Sequence, residues 1–218
     1  MSKGIALAVS IAVLMVPLGG CDIEVAPQPM QASPAPEARY QVDSARNRVW
    51  LLSDEGVFLF EPSRPERIAL SLPGWVWVGA HYGCLPDLAL GPRGEAVITS
   101  NVVPTLWRID PDTLAVSVHR PALDADDDKD IGFSGLVYSR EHAAFFAASH
   151  SHGSLWRIDP RLERAQKIPL SGGIPGACGL AAHPRGLCAR TAQGGWRVEL
   201  APHGRSAYVG AAPCAGPE

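Results

Sequence analysis

Three groups of residues in this chain have types and spacings suited to chemistry. In the segment SHSHGS, His150 and His152 stand two residues apart. On extended backbone, alternate side chains point the same way, so the two imidazoles would converge on one point. With His81 or a carboxylate they form a donor set for zinc or copper. In LDADDDKDIGFSG, Asp124, Asp126, Asp128 and Asp130 alternate, offering the hard oxygen donors that calcium takes. Lys129 stands where an EF-hand loop needs Gly, however, and Gly135 where it needs Glu. For both segments the plainer reading is a solvated polar loop. The third group is Cys84, Cys178, Cys188 and Cys214. Four cysteines permit two disulfides in three pairings, and no CxxC spacing points to zinc. Cys84, close to His81, reads as a reactive thiol or as a disulfide partner. Ser149 and Ser151 flank histidines, but a nucleophilic triad needs an orienting acid and an oxyanion hole. GxSxG, P-loop, GxGxxG and CxxCH motifs are absent from the sequence, so no catalytic residue is assigned.

Repetition dominates the elements that must carry these residues. The string LWRIDP occurs at Leu106–Pro111 and again at Leu155–Pro160, 49 residues later. A strand–turn–strand pattern precedes each copy. It reads YQVDSARNRVWLL from Tyr40, LALGPRGEAVITS from Leu88, LVYSREHAAFFAA from Leu136 and LAAHPRGLCARTA from Leu180. Apolar runs flanking a polar turn are a hairpin signature. A third strand follows, as VFLFEP from Val57, the two LWRIDP copies and GWRVEL from Gly195, with Phe58, Trp107, Trp156 and Trp196 in one slot. A fourth strand is read in IALSL from Ile68, AVSVH from Ala115, KIPL from Lys167 and SAYVG from Ser206. Four strands per unit at a spacing of 44 to 48 residues predict propeller blades. The expected fold is therefore all-β, a small β-propeller of about four four-stranded blades. Four blades is the low end for a closed ring, so an open arc completed by dimerisation is the alternative. The shared aromatic slot would wedge blade against blade.

The repeat resembles the NHL, YVTN and SMP-30-type propeller superfamily, in which a similar hairpin precedes an r-v-w-r-i-d strand. The resemblance spans roughly residues 40–210. It implies fold more than activity. Its lactonase members bind a metal through carboxylates and Asn on six blades, and Asn101 in TSNVV is the nearest echo of that set here.

Propeller geometry sorts the polar residues. The connector entering each blade lies on the same face as the loop between its second and third strands. His81, Cys84, Asp87, Asn101, the Asp124–Asp130 cluster, His150, His152 and Cys178 therefore share one expected ligand face. Cys84 and Cys178 enter blades two and four, opposite each other. A disulfide between them would staple the channel mouth, leaving Cys188–Cys214 as the second pair.

The N-terminus is a targeting segment. Lys3 precedes an uncharged run from Gly4 to Pro17, too short to span a bilayer and shaped like a secretory signal. The following Leu18-Gly19-Gly20-Cys21 resembles a bacterial lipobox, which implies cleavage after residue 20 and lipid (palmitate included) on Cys21. Asp22 resembles an inner-membrane retention signal of enteric bacteria, though which membrane is occupied stays open. Residues 21–38, rich in Pro and Ala, read as an extended tether, and 39–218 as the propeller domain. Removing residues 1–20 takes away one lysine and no acid, leaving 18 basic and 22 acidic residues and a net charge of −4. That balance argues against nucleic acid. Export argues for oxidised cysteines. The sequence thus predicts a lipid-anchored envelope protein facing the periplasm, binding or scaffolding a protein or small molecule. The alternatives are a metal-dependent hydrolase of lactonase type and a non-catalytic metal-binding protein, with calcium, zinc or copper as the possible ion.

Overall fold

Each LWRIDP string carries an aspartate before its proline because the next turn needs one. Asp110 Oδ1 accepts hydrogen bonds from the Asp112 and Thr113 amides (3.0 and 2.8 Å) and from the Thr113 hydroxyl (2.9 Å). Asp159 accepts from the amides of Arg161, Glu163 and Arg164. A side-chain carboxylate that gathers local amides replaces backbone pairing through a tight turn. Both turns then pass through a leucine in the left-handed region, Leu114 (φ 58°) and Leu162 (φ 62°). These hydrogen bonds hold the Asp110 carboxyl below the usual range. The hairpin turns repeat in the same way, using Asn47, Gly94, Ala143 and Gly186 at positive φ. At Gly186 a Cβ would meet the Val198 carbonyl oxygen at 2.3 Å, so this turn requires glycine.

The computed structural model describes residues 38–76, 84–124, 131–191 and 194–214. They form four antiparallel sheets arranged as a four-blade β-propeller. Blade 1 holds β1 (Arg39–Asp43), β2 (Arg48–Ser53), β3 (Gly56–Phe60) and β4 (Ile68–Leu70). Blade 2 holds β5 (Leu88–Leu90), β6 (Ala96–Thr99), β7 (Leu106–Ile109) and β8 (Val116–His119). A short strand, β9 (Ala122–Leu123), follows. Blade 3 holds β10 (Gly135–Ser139), β11 (Ala144–Ser149), β12 (Ser154–Ile158) and β13 (Arg164–Ile168). After β14 (Leu170–Ser171), blade 4 holds β15 (Leu180–His183), β16 (Gly186–Thr191), β17 (Gly194–Leu200) and β18 (Ala207–Pro213).

Two strands were not foreseen. β9 and β14 come from connectors and pair in parallel with the outermost strands, β9 with β13 and β14 with β18. The fourth strand of blade 3 also starts at Arg164, three residues before the expected Lys167. That strand alternates buried and exposed residues without an apolar run, so its sequence signal is weak.

Three buried apolar clusters join neighbouring blades. Blade 1 meets blade 2 through Trp50, Leu59, Ile98 and Trp107. Blade 2 meets blade 3 through Val97, Leu106, Phe145 and Trp156. Blade 3 meets blade 4 through Phe146, Leu155, Leu187 and Val198. Among the described residues no such cluster joins blade 4 back to blade 1. The free face of blade 1 leaves Tyr40 68% and Val42 55% exposed. On that same face Phe58 is covered by the Arg67 guanidinium, 4.1 Å above its ring.

The aromatic slot therefore acts as a wedge in two of the three apolar joints, between blades 1 and 2 and between blades 2 and 3. Trp107 faces blade 1 and donates its indole N–H to the Pro73 carbonyl (2.9 Å). Trp156 is fully buried and donates to the Ser154 hydroxyl (3.0 Å). Phe58 has no preceding blade to enter, and Trp196 is 40% exposed beside a register shift between Trp196 and Arg197. Trp156→Ala should accordingly lower unfolding free energy by about 3–5 kcal/mol, and Trp196→Ala by less than about 1 kcal/mol. Urea unfolding followed by circular dichroism checks both values, and equal losses would contradict the assignment of the wedges.

Candidate functional site

The inner strands of the four blades start at one face, and Asp87 joins them there. It precedes β5, and its amide donates to the Thr99 hydroxyl (2.7 Å) while its carbonyl accepts the Thr99 amide (3.0 Å). This fixes the residue against β6. Its Oδ1 accepts the Leu88 amide (2.9 Å), and its Oδ2 accepts the Leu136 amide of β10 in blade 3 (2.8 Å). Arg39 of blade 1 brings Nε to 3.7 Å from Oδ1. The same guanidinium donates through Nη2 to the Cys178 carbonyl (2.8 Å), on the connector into blade 4. Asp87 is buried, and burial pushes its carboxyl above the ordinary value of 3.8, against the pull of Arg39, the two amides and Arg190. Loss of solvation thus outweighs the favourable partners.

Around this hub the connectors pack closely. The Phe133 amide donates to the Ser100 carbonyl (2.7 Å), which draws the connector into blade 3 over the β6–β7 loop. A Cβ on Gly132 would fall 1.9 Å from the Asn101 carbonyl carbon, so only glycine permits this approach. Ser134 Oγ donates to the Ala177 carbonyl (2.8 Å) and Asn101 Nδ2 to the Cys84 carbonyl (2.7 Å). These contacts bring Cys84 and Cys178 together, with Cα atoms 5.1 Å apart, as a disulfide. Cys188 and Cys214 form the second disulfide, in blade 4. His150 Nδ1 lies 3.0 Å from Cys84 Sγ and 3.7 Å from Cys178 Sγ.

A cavity of about 920 Å³ runs along the inner strands and is lined by residues of all four blades. Arg39, Asp87 and Arg190 lie at it, with Leu136, Tyr138 and Leu180 along its wall. A smaller cavity of about 310 Å³ lies beside blade 3, lined by His152, Lys167 and Leu170 among others.

The expected ligand face is in part assembled here. Asp87, Asn101, His150, Cys84 and Cys178 meet in the manner just described. His81, Asp126, Asp128, Asp130 and Cys21 lie outside the described residues. His150 and His152 do not converge. Residues 150–153 form a turn and not extended backbone, so the period-of-two rule does not apply. His152 Nδ1 instead faces the Ser151 and Ser149 hydroxyls (2.9 and 3.4 Å). Sequence reasoning missed Arg39 and Arg190. Arginine is common on surfaces, and only the closing of the blades brings these two to one carboxyl.

No protein-family model matches the chain, and no curated protein matches it. Solved structures do resemble it. An auxiliary nutrient binding protein from Bacteroides thetaiotaomicron superposes with a TM-score of 0.56 at 11% identity, over 78% of this chain and 40% of that one. Virginiamycin B lyase from Staphylococcus aureus gives 0.56 at 12%, over 78% and 53%. A nidogen/laminin complex gives 0.56 at 12%, over 80% and 68%. This chain thus spans about half the length of the first two. At such identities the likeness is one of fold.

The hub makes stability depend on pH in a definite direction. A raised folded-state pKa means that folded Asp87 holds its proton more tightly than the unfolded chain does. Its contribution is complete below 3.8 and is lost as pH rises through the folded-state value. Compared with Asp87→Asn, the wild-type chain should lose relative stability between pH 4 and pH 8 in urea titrations. A difference that grows with pH would mean that Arg39, and not burial, governs the carboxyl.

Proposed function

We propose that this chain is a lipid-anchored protein of the bacterial cell envelope whose propeller is a receptor for a small anionic molecule. The central cavity carries this reading. Two guanidiniums, Arg39 and Arg190, and a single carboxyl, Asp87, line it. Positive charge is therefore in excess. Arginine forks suit planar carboxylates and phosphates, and the apolar wall of Leu136, Tyr138 and Leu180 suits a short carbon skeleton. A preformed concave site with few convergent polar groups is the usual form of a small-molecule site.

Isothermal titration of the chain with a panel of small mono- and dicarboxylates and phosphate esters tests the receptor reading. Saturable binding is expected for at least one, weakened tenfold or more by Arg190→Ala, whose exposed side chain can be removed without disturbing the hub. Wild-type protein that binds none of the panel would overturn the small-anion reading.

The anchor rests on the Leu18–Cys21 string and the uncharged run before it. Two or more acyl chains, at about 0.8 kcal/mol per buried CH₂, hold a protein stably to a bilayer. The Pro- and Ala-rich residues up to 38 would then let the receptor stand away from the surface. Fractionation of cells expressing Cys21→Ser should move the protein from membranes to the soluble envelope fraction. Unchanged sedimentation with membranes would refute the anchor.

A further inference from the structure

The Cys84–Cys178 disulfide has a neighbour that a purely structural staple does not need. Three ligand atoms, Cys84 Sγ, Cys178 Sγ and a ring nitrogen of His150, lie within 4.8 Å of one another. Each comes from a different segment: the connector into blade 2, the turn after β11 in blade 3, and the connector into blade 4. Cys84 is buried, and the other two are half-buried, so the group is shielded from solvent but not sealed from it. The imidazole directs Nδ1 toward the sulfurs, the orientation that a shared metal ion demands.

We infer that Cys84, Cys178 and His150 form a redox-gated site for a soft metal ion of the Cu(I) class. In the oxidised chain the sulfurs are bonded to each other and no thiolate is offered. A dithiol reductant opens the site: its two thiols become a disulfide, and its two electrons and two protons convert Cys84–Cys178 to two thiols. The ion then displaces the two thiol protons and is held by two thiolates and the His150 imidazole. Soft thiolates select monovalent copper over hard cations, and three converging donors suit a d¹⁰ ion with no demand for six ligands. Metal–sulfur distances of about 2.3 Å require the two sulfurs to part, which side-chain rotation supplies while the Cα atoms stay near their 5.1 Å separation. The connectors remain tied meanwhile by Asn101 to Cys84 and by Arg39 to Cys178. This site is separate from the anion cavity and does not depend on it.

The test uses the full chain in detergent under anaerobic conditions, with Cu(I) alone titrated against a chromophoric Cu(I) chelator. Cys188→Ser/Cys214→Ser serves as the background, so that only one cysteine pair responds to reduction. The reduced chain should bind about one equivalent and the oxidised chain none. His150→Ala, which leaves both cysteines, should weaken binding at least tenfold. X-ray absorption of the loaded chain should show two sulfur neighbours and one nitrogen. Equal binding by the oxidised and reduced chains, no effect of His150→Ala, or a sulfur-only shell would each overturn the assignment. So would loss of the β-sheet circular dichroism on reduction, because the site exists only while the ring holds its connectors together. Cys84→Ser/Cys178→Ser should abolish binding. If that variant does not fold, the oxidised–reduced comparison and His150→Ala still decide the matter.

Discussion

One carboxyl group holds the ring in register. Asp87 takes a backbone amide from blade 3, faces a guanidinium from blade 1, and is locked by its own backbone to blade 2. Arg39 passes the connection on to blade 4 through the Cys178 carbonyl. All four inner strands are thus referred to a single buried point. Such a group is costly to leave unpaired, which is why every polar atom of Asp87 has a partner. The arrangement also places the two cysteine-bearing connectors and the His150 turn over the same end of the channel. Without the hub, neither the central cavity nor the sulfur–imidazole group would have a defined shape.

The joints between blades are unequal. Three are apolar, and their clusters contain the largest buried side chains among the described residues. At the fourth, between blades 4 and 1, the described residues show the Arg39 hydrogen bond to the Cys178 carbonyl and no apolar cluster, and both blades line the large cavity. Apolar burial contributes about 25 cal/mol per Å², whereas one partly exposed hydrogen bond contributes about 1 kcal/mol. Among the described residues, the joint between blades 4 and 1 is therefore the weakest of the ring.

Much of this was legible in the chain, for reasons visible in particular residues. The Trp, Ile and Asp of LWRIDP each answer a separate need: a wedge, a core position and a turn-capping acid. A string under three constraints recurs almost unchanged and is easy to find. Cys84 and Cys178 met as the blade positions of their connectors require. By contrast, β9 and β14 are two residues long and exist only because a neighbouring edge offers unpaired amides, which leaves no periodic pattern to read. Arg39 and Arg190 were invisible because their role depends on contacts between distant blades. His150 and His152 take separate partners, the Cys84 sulfur and the Ser151 hydroxyl, because residues 150–153 form a turn and not the extended backbone that their spacing assumed.

The parallel strands β9 and β14 also bear on how this molecule avoids its neighbours. Unpaired strand edges recruit other chains and seed aggregation. β9 covers Arg164 and Ala165 of β13, and β14 covers Ala207 and Tyr208 of β18, so two of the four outer edges are partly blocked against intermolecular sheet growth. The remaining rim is β4 and β8, both short. The molecule thus spends its own linkers as partial guards of two sheet edges.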